Sequence, residues 1–316
     1  MTSFRPPNKS FHRLFLTLLI LSVIPAQPSS SQQPAQDEDD GEVVRVNTEL
    51  VILNVTVVDG AGKYVHGLRN TDFKIFEDGQ EQSITSFGSE ETPFAAAVLL
   101  DTSASMERRV TLARSAAIRF LDGLREEDVA AVYHFDSKIE QVQEFSFSRD
   151  LADMAFGLKA KGLTVLNDAI LRAAEDLSQR AEKRRAIVVL SDGGDTRSKA
   201  SMDKALASAL AANATIFTVN MSAPDSTPAE RLSGVSALRA LALKSGGRYI
   251  ESAGGQALRE AFASVVEELG NQYTLVYRPS NRARDGRWRT IELKLSRPDI
   301  IARTRKGYRA PKGSDK

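Results

Sequence analysis

Ala95-Ala96-Ala97-Val98-Leu99-Leu100, followed at once by Asp101-Thr102-Ser103-Ala104-Ser105-Met106, is the stretch on which the fold turns. An unbroken apolar run of strand length, closed by a carboxylate and hydroxyls, describes a strand buried on both faces that ends at a polar loop. Similar runs recur at Val129–Phe135, Ile187–Leu190, Ile216–Val219 and Tyr249–Ile250. Amphipathic, helix-length segments lie between them, at Val110–Leu124, Leu166–Arg180, Met202–Ala212, Ala229–Leu243 and Ala257–Leu269. That alternation predicts an α/β domain over 94–272, a doubly wound and mostly parallel sheet with helices on both faces. Lys138–Phe147 alternates and is more polar, which suits an antiparallel edge strand.

On either side the pattern changes to β. Val51, Leu53, Val55 and Val57 alternate with Ile52, Asn54 and Thr56, and Asp59-Gly60-Ala61-Gly62 supplies a turn. Phe73–Phe76, the turn Glu77-Asp78-Gly79 and a strand over Gln82–Phe87 follow. After the α/β region, Tyr273, Leu275 and Tyr277 alternate, Arg284-Asp285-Gly286 turns the chain, and Ile291, Leu293 and Leu295 alternate with Glu292 and Lys294. Isolated short sheets are marginal. The expectation is therefore that segments 43–93 and 273–310 pair into one β-sandwich with the α/β domain inserted between its strands.

At the N-terminus Arg5, Lys9, His12 and Arg13 precede the apolar run Leu14–Ile24, then Pro25 and Ala26. This order predicts an export signal over 1–26 and a periplasmic or secreted protein. The run falls short of the roughly 20 apolar residues a spanning helix needs, and an uncleaved N-terminal anchor is the alternative. Residues 27–42, Pro/Ser/Gln-rich and then acidic, read as a flexible linker. No later apolar run escapes interruption by charge, so no membrane span is expected in the mature chain.

The chain has 316 residues, 26% of them charged, with a formal net charge of +1, which makes nucleic acid a poor partner. Cysteine is absent, so disulfides, thiolate metal sites and thiol nucleophiles are excluded. Oligomeric state is not legible.

In open α/β sheets ligands sit at the carboxyl ends of the strands. Asp101, Ser103 and Ser105 place three hard oxygen donors at alternate positions of one such loop, a set suited to Mg²⁺, Ca²⁺ or Mn²⁺. A second buried strand ends in Ser191-Asp192-Gly193-Gly194-Asp195, and Asp192 faces the same crevice if the two strands are neighbours. In a third element, Gly162-Leu163-Thr164-Val165-Leu166, a glycine-containing loop presents Thr164 just ahead of a helix. Each piece also has a plainer reading: Asp101, Ser103, Ser105 and Thr164 as helix caps, and Asp192-Gly193-Gly194 as a turn. Asp168 and Asp195 read as turn or supporting residues.

Taken in order, these three elements resemble the metal-ion-dependent adhesion site of von Willebrand factor type A domains. The resemblance covers roughly 94–272. Thr71-Asp72-Phe73, Glu77-Asp78-Gly79 and Arg305-Lys306-Gly307-Tyr308 look like the exported, acidobacterial-type bacterial branch of that family. The resemblance implies Ser103, Ser105 and Thr164 as hydroxyl ligands of a Mg²⁺ (or Mn²⁺ or Ca²⁺). It also implies Asp101 and Asp192 binding mainly through water, and an open position for an Asp or Glu carboxylate of a partner protein. Two departures, Leu163 where relatives commonly have a second glycine and Asn167 where an aromatic is common, bear on the Thr164 loop.

The expected function is metal-dependent protein binding or adhesion without catalysis. An assembly protein with a vestigial metal site is one alternative. A metal-dependent hydrolase is the other, but a phosphotransferase of the haloacid-dehalogenase kind needs an acid where Ser103 stands. The three histidines His12, His66 and His134 supply no evident base, and there is no Gly-x-Ser-x-Gly elbow or phosphate loop.

Overall fold

The computed structural model describes residues 50–89, 92–151, 162–222, 227–252 and 255–313. The export signal, the linker and residues 43–49 of the first β segment lie outside the described residues.

The central sheet has six strands: β5 (Phe94–Asp101), β6 (Val129–Phe135), β7 (Ile139–Ser146), β8 (Arg184–Ser191), β9 (Ala214–Asn220) and β10 (Tyr249–Glu251). Their order is β10-β9-β8-β5-β6-β7, parallel throughout except for β7, which runs antiparallel along the β6 edge. Every residue of β5 is buried, as its unbroken apolar run demands.

Alternation of side chains sends Ala96, Val98 and Leu100 to one face, against α1 (Val110–Asp122) and α5 (Gly255–Gly270). Ala95, Ala97 and Leu99 face the other way, against α2 (Leu166–Ser178), α3 (Met202–Ala211) and α4 (Pro228–Ser245). The result is a three-layer doubly wound domain. Its small alanines let helices approach the sheet closely on both sides, and burial of its apolar area supplies the main driving force, at about 25 cal/mol per Å².

The flanking segments interleave. β1 (Val51–Asp59) lies between β11 (Gln272–Tyr277) and β13 (Ile300–Arg303), and β11 also pairs with β4 (Ile84–Gly88), giving the order β13-β1-β11-β4. A second four-stranded sheet, β14-β12-β2-β3, combines β2 (Phe73–Glu77), β3 (Gln80–Gln82), β12 (Trp288–Leu295) and β14 (Gly307–Arg309). Both sheets are antiparallel and each contains strands from before and after the α/β region. One apolar cluster joins them, with Val51, Leu53, Val55 and Val57 from β1 against Phe73, Ile75, Tyr273, Leu275 and Ile291.

One expectation is corrected. Gln82–Phe87 is not a single strand: Gln82 closes the β2–β3 hairpin, and after Ser83 the chain passes into the other sheet as β4. The break follows from burial. Gln82 is buried and its Nε2 donates to the Gln80 carbonyl and to Ser280 Oγ, while Phe87 packs into the apolar cluster beside Tyr273.

Candidate metal centre

β5 and β8 are hydrogen-bonded neighbours in parallel register, with Leu99 opposite Val189 and Leu100 opposite Leu190, so their two terminal loops open at the same end of the sheet. This brings Asp101 and Ser191 together. Asp101 is fully buried at 0% exposure. Its Oδ1 accepts from the Ser103 backbone N–H at 2.9 Å and its Oδ2 accepts from Ser191 Oγ at 2.5 Å. Ser191 Oγ in turn accepts from Gly193 N–H at 2.9 Å. Among the described residues no cationic side chain pairs with Asp101. Burial is the largest influence on its carboxyl and pushes it up to about 6, the Ser103 and Ser191 hydrogen bonds pull the other way, and the charge of Asp192 adds to the rise.

The hydroxyls around it are not spent on capping. Ser103 precedes a short 3-10 turn, Ala104–Met106, and its side chain makes no cap bond. α1 starts only at Val110, where Arg109 occupies the N-cap position and its side chain, turned to the Met221 carbonyl, makes no capping bond. Ser103 Oγ and Ser105 Oγ lie 3.1 Å apart and bond to each other. At α2 the N-cap position falls on Val165, so Thr164 does not cap that helix either. Thr164 is buried, and the interactions of its loop run through its backbone: Thr164 N–H donates to Thr196 Oγ1, and its carbonyl accepts from Thr196 and Arg197 N–H.

Further bonds tie the three loops to one another. Ala104 N–H donates to the Gly162 carbonyl at 3.3 Å, which joins the β5 loop to the Thr164 loop. Asp195 accepts from Asn167 N–H at 2.8 Å and Ser198 N–H at 3.0 Å, and Asp168 accepts from Lys199 and Ala200 N–H. Asp168 and Asp195 are thus fully engaged in bracing the Thr164 and β8 loops. Asp192 Oδ1 accepts from Gly194 N–H at 3.0 Å, a turn contact that leaves its second oxygen without a hydrogen bond among the described residues. His134 is engaged on both ring nitrogens, Nδ1 with Thr102 Oγ1 and Nε2 with Glu140 Oε2.

Sequence reasoning passed over three contributors. Ser191 holds the inner oxygen of Asp101, a role visible only once β5 and β8 are known to be adjacent. Ser137 Oγ accepts from Leu163 N–H at 2.9 Å and so fixes the loop at the position where a second glycine is missing. Gly234, inside α4, lies against the β8 loop: a Cβ there would come within 2.1 Å of the Asp192 carbonyl oxygen, and one on Gly193 within 2.3 Å of the Gly234 carbonyl. Gly193 also adopts φ +82°, in the left-handed region.

Among the described residues no group of three or more His, Cys, Asp or Glu side chains clusters as a metal site. The donor set here is of another kind, two carboxylates with three hydroxyls. Hard oxygen donors with little anionic charge fit a hard divalent cation that keeps part of its water shell. Asp101, a buried carboxylate at the strand ends with no ion pair among the described residues, supplies the observation that favours such an occupant.

The von Willebrand factor type A domain family model matches residues 97–265, which carries all three loops. The chain belongs to the von Willebrand factor type A domain family. Its solved neighbours include the PilB minor pilin from Streptococcus sanguinis, here a D319A mutant, at 14% identity and TM-score 0.46, covering 57% of this chain and 62% of the pilin. An aerotolerance-related membrane protein from Bacteroides fragilis matches at 19% identity and TM-score 0.48, over 56% of this chain and 98% of that one. A von Willebrand factor type A protein from Catenulispora acidiphila matches at 15% identity and TM-score 0.46, over 77% of this chain and 74% of that one. This chain therefore spans less than two thirds of the pilin's length. No curated protein matches the sequence. Among the described residues no helix is long and apolar enough to cross a membrane.

Proposed function

We propose that this von Willebrand factor type A protein is an exported, non-enzymatic binding module that recognises an acidic group on a partner protein through a divalent cation, Mg²⁺ with Mn²⁺ or Ca²⁺ as alternatives. Ser103, Ser105 and Thr164 would hold the cation through their hydroxyls, with Asp101 and Asp192 acting mainly through water. Bound there, it supplies a Lewis-acidic coordination position that a carboxylate from outside can fill. The chain's own residues do the rest. Ser191 and the Ser103 amide orient Asp101, the Ser103–Ser105 contact preorganises two hydroxyls, and the Asp168 and Asp195 contacts hold the Thr164 loop in place.

The observation that carries this reading is Asp101, a carboxylate at 0% exposure that accepts hydrogen bonds from Ser103 and Ser191 and has no cation partner among the described residues. A charge so placed is costly unless compensated, and compensation from outside the chain is what a metal site provides. Export rests on the basic-then-apolar order of residues 5–24, and N-terminal sequencing of the mature protein tests it: an intact Met1 would contradict a cleaved signal.

Calorimetric titration of Mg²⁺, then Mn²⁺ and Ca²⁺, tests the metal centre. Saturable binding at one site, lost in Asp101→Ala, is expected. With metal present, a glutamate-bearing peptide array should then capture the wild type, and Asp192→Ala should abolish that capture. Metal-dependent turnover of ester or phosphate substrates, lost in Asp101→Ala, would instead favour a hydrolase.

A further inference from the structure

A second site lies away from the strand-end loops, where α3 meets the β12–β14 edge. A groove of about 310 Å³ opens there, within the range that holds small ligands, lined by Leu206, Ala207 and Leu210 of α3 together with Trp288, Lys306 and Arg309. Lys244 and Asp203 complete its rim, paired to each other at 3.9 Å. Trp288 is the chain's only tryptophan and is 42% exposed, an unusual position for so large an apolar ring.

The ring is held in place. A Cβ on Gly307 would come within 2.6 Å of Trp288 Cε2 and Cζ2, so the indole lies directly against the glycine backbone of the next strand. Arg309 is the cross-strand partner of Trp288 in the β12–β14 register, and both residues line the groove. Lys306 and Arg309 are both exposed, and neither has an ion-pair partner among the described residues. The groove thus presents three cations against one carboxylate, a fixed aromatic surface and an aliphatic wall.

We propose that this groove binds an anionic saccharide of the uronate class. The flat C–H face of a sugar ring stacks on an indole, and its carboxylate takes charge-assisted hydrogen bonds from Lys306 and Arg309. A peptide fits less well. Strand addition draws its affinity from a run of main-chain hydrogen bonds, and β14 has only three residues to offer. The site uses none of the residues of the metal centre, so it stands or falls separately from that reading.

Because Trp288 is the only tryptophan, its emission reports this groove alone. The full chain, kept in chelator to silence any metal site, is titrated with tetragalacturonate while tryptophan fluorescence is followed. A saturable change is expected, weakened by added salt as an exposed charge contact must be. It should be unchanged in Asp101→Ala, and the affinity should fall by roughly a hundredfold or more in Lys306→Glu/Arg309→Glu, the loss of both charge-assisted bonds. Lys306→Gln provides a milder variant should the double reversal fail to fold, with a smaller loss expected. No saturable change in the wild type would overturn the proposal. So would an equal response to neutral maltotetraose, an equal response to tetraglutamate, which would mark a peptide groove, or full-strength binding by folded charge variants.

Discussion

Two buried carboxylates in this molecule are treated in opposite ways. Glu268, near the end of α5, is 1% exposed and surrounded by partners. Thr56 Oγ1 donates to its Oε1, Arg303 reaches the same oxygen, and Arg248 Nε lies 3.1 Å from Oε2, an ion-pair contact off the hydrogen-bonding line. Its charge is neutralised within the fold, and the network pins α5 to β1 and β13. Asp101 is at least as deeply buried but receives only serine hydroxyls and one amide, from Ser103 and Ser191, and no cation among the described residues. Glu268 has its countercharge built in, whereas Glu77, also buried, is held by the Tyr277 and Tyr308 hydroxyls, and the proposed cation would supply the charge that Asp101 lacks.

The comparison can be broken most forcefully at Glu268. Glu268→Ala should cost about 3 kcal/mol in denaturant unfolding, because two arginines lose the charge they were ordered around. A loss well under 1 kcal/mol would mean that the network is not compensating charge at all. Gly234→Ala tests the other region. Its new methyl would press on the Asp192 carbonyl, at an overpacking cost of about 1–3 kcal/mol, and should weaken Mg²⁺ binding as the β8 loop shifts. Gly60→Ala, where nothing lies within 4 Å, is the matched control and should change neither.

Ser191→Ala removes one of the two donors that hold Asp101. It should lower stability by about 1 kcal/mol and reduce metal affinity. Thr164→Val gives the smallest effect on stability, within about 1 kcal/mol by denaturant titration, because the Thr164 hydroxyl makes no hydrogen bond among the described residues. Its metal affinity should nevertheless fall. If Thr164→Val proved strongly destabilising with metal binding intact, the hydroxyl would be a structural group and would leave the site.

The α/β architecture was legible because β5, β8 and β9 are apolar on both faces while α1, α2, α3 and α5 carry an apolar stripe at 3.6-residue spacing, two periods that do not mimic each other. The antiparallel edge strand β7 was readable from its polar alternation for the same reason. The split of Gln82–Phe87 was not. Nothing in that local alternation shows Gln82 held by Gln80 and Ser280, a partner 198 positions away. At the strand ends the donor types could be read, but the bonds that organise them could not. The Ser191–Asp101 contact depends on which strands are neighbours, and the Gly193–Gly234 approach depends on how α4 lies against the β8 loop. Contacts between distant segments are set by packing, and packing leaves little trace in a single sequence.

On the metal-site proposal, Asp101 carries a buried charge whose compensation is an external cation. Thermal unfolding of the wild type and of Asp101→Asn, each in chelator and in saturating Mg²⁺, tests it most directly. Asp101→Asn should melt about 2–4 °C above the wild type in chelator, since roughly 1 kcal/mol of buried-charge cost is removed. Mg²⁺ should raise the wild type and leave the variant where it was. A variant that melts below the wild type in chelator, or that still gains stability from Mg²⁺ as the wild type does, would contradict the claim.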